Sequence, residues 1–249
     1  MHPAVPSNPA PGKANGGSPV IEFLQTMIDH APDWSWRLLP AAGQTMLITA
    51  SSFGMALILA ILMEFGRISG ISLVRRIIGA YIEIVRALPI LAVLYIIYFG
   101  LPGVGITFSP FVSGTLGLGI VYSTYLTEVL RAGVDSLHRG QREAALAVGM
   151  PPLLVFKVII LPQAVRVVLP PLLVSLISLL KDSSVCALIA VNELTLSGRV
   201  IMSESFLPLH VFVLVGAIYF SIAWPMSLFV QWLEPRLSRG RRTLASADV

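Results

Sequence analysis

The sequence predicts an all-α integral membrane protein with five transmembrane helices and a helix-hinge-helix segment in the cytoplasmic connection between the third and the fourth. Three observations carry that expectation. The 249 residues are 55% hydrophobic and only 12% charged, with a mean hydropathy of +0.83, which is too apolar for a soluble domain. Five apolar segments each supply the roughly 20 residues that a hydrocarbon core requires. The basic residues gather in alternate connections, as positive-inside topology demands.

Residues 1–19 hold five prolines and several glycines with no apolar pattern, and they read as a disordered tail. They lack the basic start, compact apolar stretch and small-residue cleavage site of a secretory signal. Over residues 20–43, Val20, Phe23, Leu24, Met27 and Ile28 recur at helical spacing with Glu22, Gln25 and Asp29 between them. That pattern predicts a short amphipathic helix on the membrane surface, with Trp34 and Trp36 in the aromatic belt at its edge. A membrane domain over residues 44–237 follows, with spans expected at Gln44 to Met63, Ile77 to Leu101, Phe111 to Leu130, Leu169 to Val191 and Leu209 to Leu233. Pro89 in the second and Pro225 in the fifth remove helix hydrogen bonds and predict kinks. In the third, Gly119, Ser123 and Thr127 form a small-residue stripe suited to close helix packing, with Tyr122, Tyr125 and Glu128 adding polar groups. Residues 238–249 form a basic tail.

Charge sets the orientation. Arg67, Arg75 and Arg76 follow the first span; Arg131, Arg139, Arg142, Lys157 and Arg166 follow the third; Arg236, Arg239, Arg241 and Arg242 follow the fifth. The opposite side has only Lys13, Arg37 and Arg199, so the N-terminus is expected outside and the C-terminus in the cytoplasm. The chain's basicity is therefore a topology signal, with no nucleic-acid partner implied. A single cysteine, Cys186, excludes an internal disulfide. His2, His30, His138 and His210 make no metal-ligand pattern, and no nucleophile-base cluster stands out. Gly12-Lys13 lacks the upstream glycine and the downstream Ser or Thr of a phosphate-binding loop, so no cofactor is expected in this chain.

The third connection, about residues 139–162, is the most informative stretch. Gln141 to Val148 is rich in Ala and Leu and predicts a short exposed helix, which Gly149, with Pro151 and Pro152 behind it, ends. Ala144, Ala145 and Ala147 suit close approach to a partner groove, with Glu143 and Arg142 as rim charges. Leu153 to Leu161 is apolar apart from Lys157, yet nine helical residues rise only about 14 Å, so the run cannot span and is expected at the interface or against other helices. Any loop can carry Glu-Ala-Ala by chance. The full spacing through Ile159, Leu161 and Pro162 favours a working surface.

The fourth span carries Lys181 and Asp182 near its expected middle, each disfavoured there by about 2.5 to 3.5 kcal/mol. Adjacent helical residues diverge by about 100°, so the two do not face each other. Asp182 shares a stripe with Ser175, Ser178 and Cys186, while Lys181 points toward Ser184. Either these charges line a solute pathway or they form ion pairs that fix helix packing. Glu83 and Arg86 in the second span are the candidate partners, or satisfy each other three residues apart.

These residues together resemble the permease subunits of ATP-binding-cassette (ABC) importers, and within them the polar amino-acid subfamily that imports histidine, glutamine, arginine and relatives. The likeness covers about residues 39 to 237. It is carried by Gly43-Gln44-Thr45, Glu128-Val-Leu-Arg-Ala-Gly133, Gly140-Gln141-Arg-Glu-Ala-Ala145, Leu161-Pro162-Gln163-Ala164 and Lys181-Asp182-Ser183-Ser184. Where that subfamily reads Arg-Gly-Thr-Pro, this chain has Arg86-Ala87-Leu88-Pro89 and lacks the hydroxyl.

The resemblance implies a five-helix subunit of the bacterial inner membrane that pairs with a second copy or a paralogue, with a dimer of ATPase subunits and with an extracytoplasmic solute-binding protein. ATP and magnesium belong on the ATPase. Gly140, Gln141, Glu143, Ala144, Ala145, Gly149, Leu161 and Pro162 are then the ATPase-coupling residues, and Ser178, Lys181, Asp182, Glu83 and Arg86 the candidate solute pathway. Two alternatives stay open. One is an ABC permease for a solute other than an amino acid. The other is an ion-coupled secondary carrier, which usually needs more helices or an internal repeat.

Overall fold

The computed structural model describes residues 18–137 and 139–245, all helical or in the turns between helices. Most of the tail expected over residues 1–19 lies outside them, as do His138 and the side chains of the basic tail expected over 238–249.

Helix α1, Pro19–Ile68, is 50 residues long and extends about 75 Å. The surface helix expected over residues 20–43 is not a separate element: α1 runs through both its prolines, Pro32 and Pro40, and across the 43/44 limit. Packing holds the two halves in one line. Trp34, Leu38 and Ala42 are buried against Leu194, Ile201, Val211 and Val215, so bending α1 at either proline would pull that cluster apart.

Helix α2, Ser72–Ala87, and helix α3, Ile90–Tyr95, were expected as one kinked span. Instead they form two legs. Ser72–Ala87 and Ile90–Val104 meet at 103°, the second leg ending in a π turn over Ile96–Gly100 and a 3-10 turn over Leu101–Val104. Pro89 causes the break. Its ring bars the preceding residue from helical backbone, and Leu88 is extended at φ −92°, ψ 137°.

Helix α4, Pro110–Asp135, starts at a Ser109 cap that accepts from the Val112 N–H, and it runs through the middle of the molecule with α1 along one side and α7 along another. Close approach depends on its missing side chains. A Cβ at Gly117 would stand 2.6 Å from Leu94, and one at Gly114 would stand 2.8 Å from Ile48. Ser123 and Thr127 of the expected stripe are buried, their hydroxyls turned back to the Ile120 and Ser123 carbonyls. The core around α4 comprises Ile48, Ala56, Leu94, Leu118, Leu126, Leu179 and Ile189. Lipid tails are as apolar as these side chains, so tight packing and not exclusion from water favours the assembly.

Helix α5, Arg139–Ala147, lies in the third connection as expected. Gly149 closes it at φ +82°, and the Gly149 and Met150 N–H groups bond back to the Leu146 and Ala145 carbonyls. Beyond it the expectation needs correction. The fourth span was expected to begin at Leu169, but Leu153 to Leu161 is continuous with it: helix α6, Pro152–Val155, passes through a π turn over Phe156–Ile160 directly into helix α7, Leu161–Asp182. The Leu161 N–H bonds five residues back, to the Phe156 carbonyl, and this wide turn sits just ahead of Pro162, which has no N–H to give.

Helix α7 also stops earlier than expected. From Ser183 to Ile189 the chain tightens into a 3-10 helix and turns at Ala190, φ 59°, so Lys181 and Asp182 close α7 and do not sit at the middle of a span. Ser183 contributes by bonding its hydroxyl to the Leu180 carbonyl. Helix α8, Leu194–Ser205, was not anticipated; it is followed by Phe206 in the left-handed region and by helix α9, Pro208–Ala245.

Pro19–Ile68, Pro152–Ile189 and Pro208–Leu237 are each long and apolar enough to cross a membrane, and the bent pair α2–α3 is a fourth candidate. Helix α4 has the length, about 39 Å, but its glycines, serines and threonines dilute its hydropathy.

Candidate functional site

Three helices bring polar groups together beside the end of α7. The Tyr122 hydroxyl donates to Asp182 Oδ2 at 2.7 Å. One turn along α4, the Tyr125 ring lies 5.8 Å from that of Tyr122, and the Arg86 guanidinium of α2 stands 5.2 Å over the Tyr125 ring. The result is a line from carboxylate to phenol to ring to cation. Tyr122 is buried and Asp182 half-buried, so the bond between them is little diluted by solvent.

The partners expected from sequence are not the ones formed. Arg86 meets Tyr125 and not Asp182, and among the described residues no ion pair joins Glu83, Arg86, Lys181 or Asp182. Lys181 and Glu83 are exposed, and Ser178 is half-buried on α7. Tyr122 and Tyr125 were legible only as polar groups. Their spacing of three on a helix otherwise lined with small residues was the signal that places both on one face.

The helix α5 surface is built differently. Gln163 Nε2 donates both to Gln141 Oε1 at 2.8 Å and to the Ile159 carbonyl at 2.9 Å, tying α5 to the root of α7. Ala145 turns inward and is 6% exposed. Gly140, Glu143, Ala144, Ala147, Val148 and Gly149 face outward, and Leu161 and Pro162 are exposed on the first turn of α7. The Glu-Ala-Ala triplet is thus split between two faces, with Glu143 and Ala144 outward and Ala145 against the body of the chain.

A further polar knot was missed altogether. Glu193 is fully buried at the start of α8, where Oε1 accepts from the Leu196 N–H and Oε2 from the Tyr219 hydroxyl, both at 2.8 Å. Nearby the Leu194 N–H donates to Thr45 Oγ1, so α1, α8 and α9 are joined. Burial pushes the Glu193 carboxyl above the usual range, opposed by hydrogen bonds from Thr195, Tyr219 and Leu196. A lone acidic residue ahead of an unforeseen helix left little trace in the sequence.

Residues 52–239 match the family described as the binding-protein-dependent transport system inner membrane component. The chain belongs to that family. This inner membrane component is 33% identical over 199 residues to a probable amino-acid ABC transporter permease of Bacillus subtilis (strain 168), covering 80% of this chain and 88% of that one. It is also 33% identical over 213 residues to the glutamine transport system permease of Escherichia coli (strain K12), covering 82% and 97%. The solved structure of an amino acid ABC transporter with histidines superposes with a TM-score of 0.79 at 28% identity, over 86% of this chain and 98% of that one. This inner membrane component is accordingly a permease subunit of an ABC transporter, a transport protein and not an enzyme.

Proposed function

We propose that this permease carries a polar amino acid into the cytoplasm, driven by ATP that a separate pair of ATPase subunits binds with magnesium and hydrolyses. In this reading the chain crosses the membrane five times, by α1, the broken pair α2–α3, α4, α6–α7 and α9, with its N-terminus outside and α5 in the cytoplasm. A second copy or a paralogue completes the pathway, and an extracytoplasmic binding protein delivers the solute. The amino-acid and glutamine permeases among its relatives favour an amino acid over other solutes.

The observation that carries the proposal is the continuity of α6 and α7. From Pro152 to Asp182 the chain is one rod of helix about 46 Å long, with the α5 surface at its root and the Tyr122–Asp182 bond at its tip. Closure of the ATPases on Glu143, Ala144 and Ala147 pushes α5. The Gln141–Gln163 bond passes that push to α7, and the rod moves Asp182 against α4. A continuous helix that ends in two sites is a physical means of coupling them. Asp182, Lys181 and Arg86 supply both signs of charge, which a zwitterionic solute needs.

Uptake by vesicles reconstituted with this chain, its ATPase and its binding protein tests the reading. Accumulation of a polar amino acid should require ATP inside the compartment that faces α5. Accumulation driven by an ion gradient without ATP would favour the secondary carrier instead.

A further inference from the structure

Helices α1, α4 and α7 enclose a cleft of about 300 Å³ near the root of α7, walled by Leu57, Leu130, Phe156, Val168 and Leu172. One polar side chain enters it, Glu64. Its Oε2 is buried with no hydrogen-bond partner, although an unpaired carboxylate oxygen in apolar surroundings is among the costliest arrangements in a protein. The cations close by are committed elsewhere. Arg67 reaches Glu128 at 3.4 Å and Arg131 holds it at 2.6 Å, so Glu128 takes both. Glu64 lies within electrostatic reach of Glu128 and Asp135 and of Arg67 and Arg131; three carboxylates against two guanidiniums leave one negative charge unmatched.

We propose that this cleft holds one aminophospholipid of the cytoplasmic leaflet, its ammonium donating to Glu64 Oε2. The shape and the charge both point to such an occupant. Phe65, Leu161 and Val165 are exposed at the rim, so the cleft opens sideways to the bilayer, and its wall accepts an acyl chain. A primary ammonium brings hydrogen-bond donors and the missing positive charge to Glu64. The half-exposed Arg131, next in the chain to Leu130 of the wall, would offer its remaining donors to the phosphate of the same headgroup. Phosphatidylcholine matches the tail and the phosphate but has no N–H, so Glu64 discriminates between the two lipids. The proposal goes beyond the transport reading and rests on it only for the leaflet. Seated between α1 and the root of α7, the lipid would also stiffen the rod where it leaves α5.

Native mass spectrometry of the full chain, extracted in mild detergent from vesicles of equal phosphatidylethanolamine and phosphatidylcholine, tests the proposal. The unaltered chain should retain one phosphatidylethanolamine in clear preference. Glu64→Gln should lower that preference about tenfold, because the amide keeps an acceptor but loses the charge that strengthens its bond to an ammonium. Val165→Trp, at an exposed rim position, should reduce retention of both lipids alike. Equal retention of the two lipids by the unaltered chain overturns the proposal whatever the variants do. An unchanged preference in Glu64→Gln also overturns it, because the ammonium is then held by some group other than Glu64.

Discussion

At the scale of single residues, Asp182 and Tyr122 separate two roles that charge in a membrane helix can serve. Tyr122→Phe removes the hydroxyl that donates to Asp182 while keeping the ring in its buried place, and leaves a carboxylate short of a bond worth about 1.5 to 3 kcal/mol. The expected outcome is a lower melting temperature of the purified complex. Asp182→Asn keeps an acceptor for the Tyr122 hydroxyl and removes the charge, so assembly and melting should stay near normal while uptake rate or solute preference changes. Normal uptake and preference in Asp182→Asn would remove Asp182 from the pathway. Glu193 makes a different prediction, in pH. Because burial raises its folded pKa, the folded protein keeps the proton at pH values where the unfolded chain has released it. Its contribution to stability is therefore greatest on the acid side and declines as pH rises from the ordinary glutamate range through the raised value. Melting curves at a series of pH values should show that decline in the unaltered chain and its absence in Glu193→Gln.

Elements show where the sequence was legible and where it was not. Helix α5 and its glycine stop were readable because Ala-rich composition and Gly149 act locally, and no distant group has a say in them. Pro89 was readable as a disturbance but not as a break, since the size of the bend depends on what α2 and α3 pack against: Tyr81 hydrogen-bonds the Ile120 carbonyl and Ser123 of α4, and the α3 leg rests on Gly117. The fusion of residues 20–43 into α1 and the early stop of α7 have the same cause, tertiary contacts that hydropathy does not encode. Burial splits the α5 surface, and that split makes a prediction. Ala147→Trp places bulk on the outward face, so the chain should insert and melt normally while its affinity for the ATPase falls, measured by co-purification. Ala145→Arg forces a cation into a site that is 6% exposed, and it should lower the melting temperature of the permease itself. If Ala145→Arg melts normally and only loses the ATPase, the inward orientation of Ala145 is wrong.

At the scale of the whole molecule, the alternation of basic connections predicts opposite sides for the two ends. A tag after Asp248 should be accessible from the cytoplasm alone and one near Asn8 from outside alone; both on one side would defeat five crossings. Family membership and the outline of helices were legible because hydropathy and charge follow the bilayer and not the fold, whereas the polar line from Asp182 to Arg86 joins three helices and exists only after folding. The make-up of α4 has a consequence for biogenesis. Its Gly114, Gly117 and Gly119, with Ser113, Thr115, Ser123 and Thr124, let neighbours approach but keep it out of the set of long helices apolar enough to cross a membrane by themselves. A translocon that sorts segments by hydrophobicity one at a time releases such a helix reluctantly. Helix α1, synthesised earlier and packed along α4 in the finished protein, is the natural holding partner, so insertion of α4 should depend on the presence of α1.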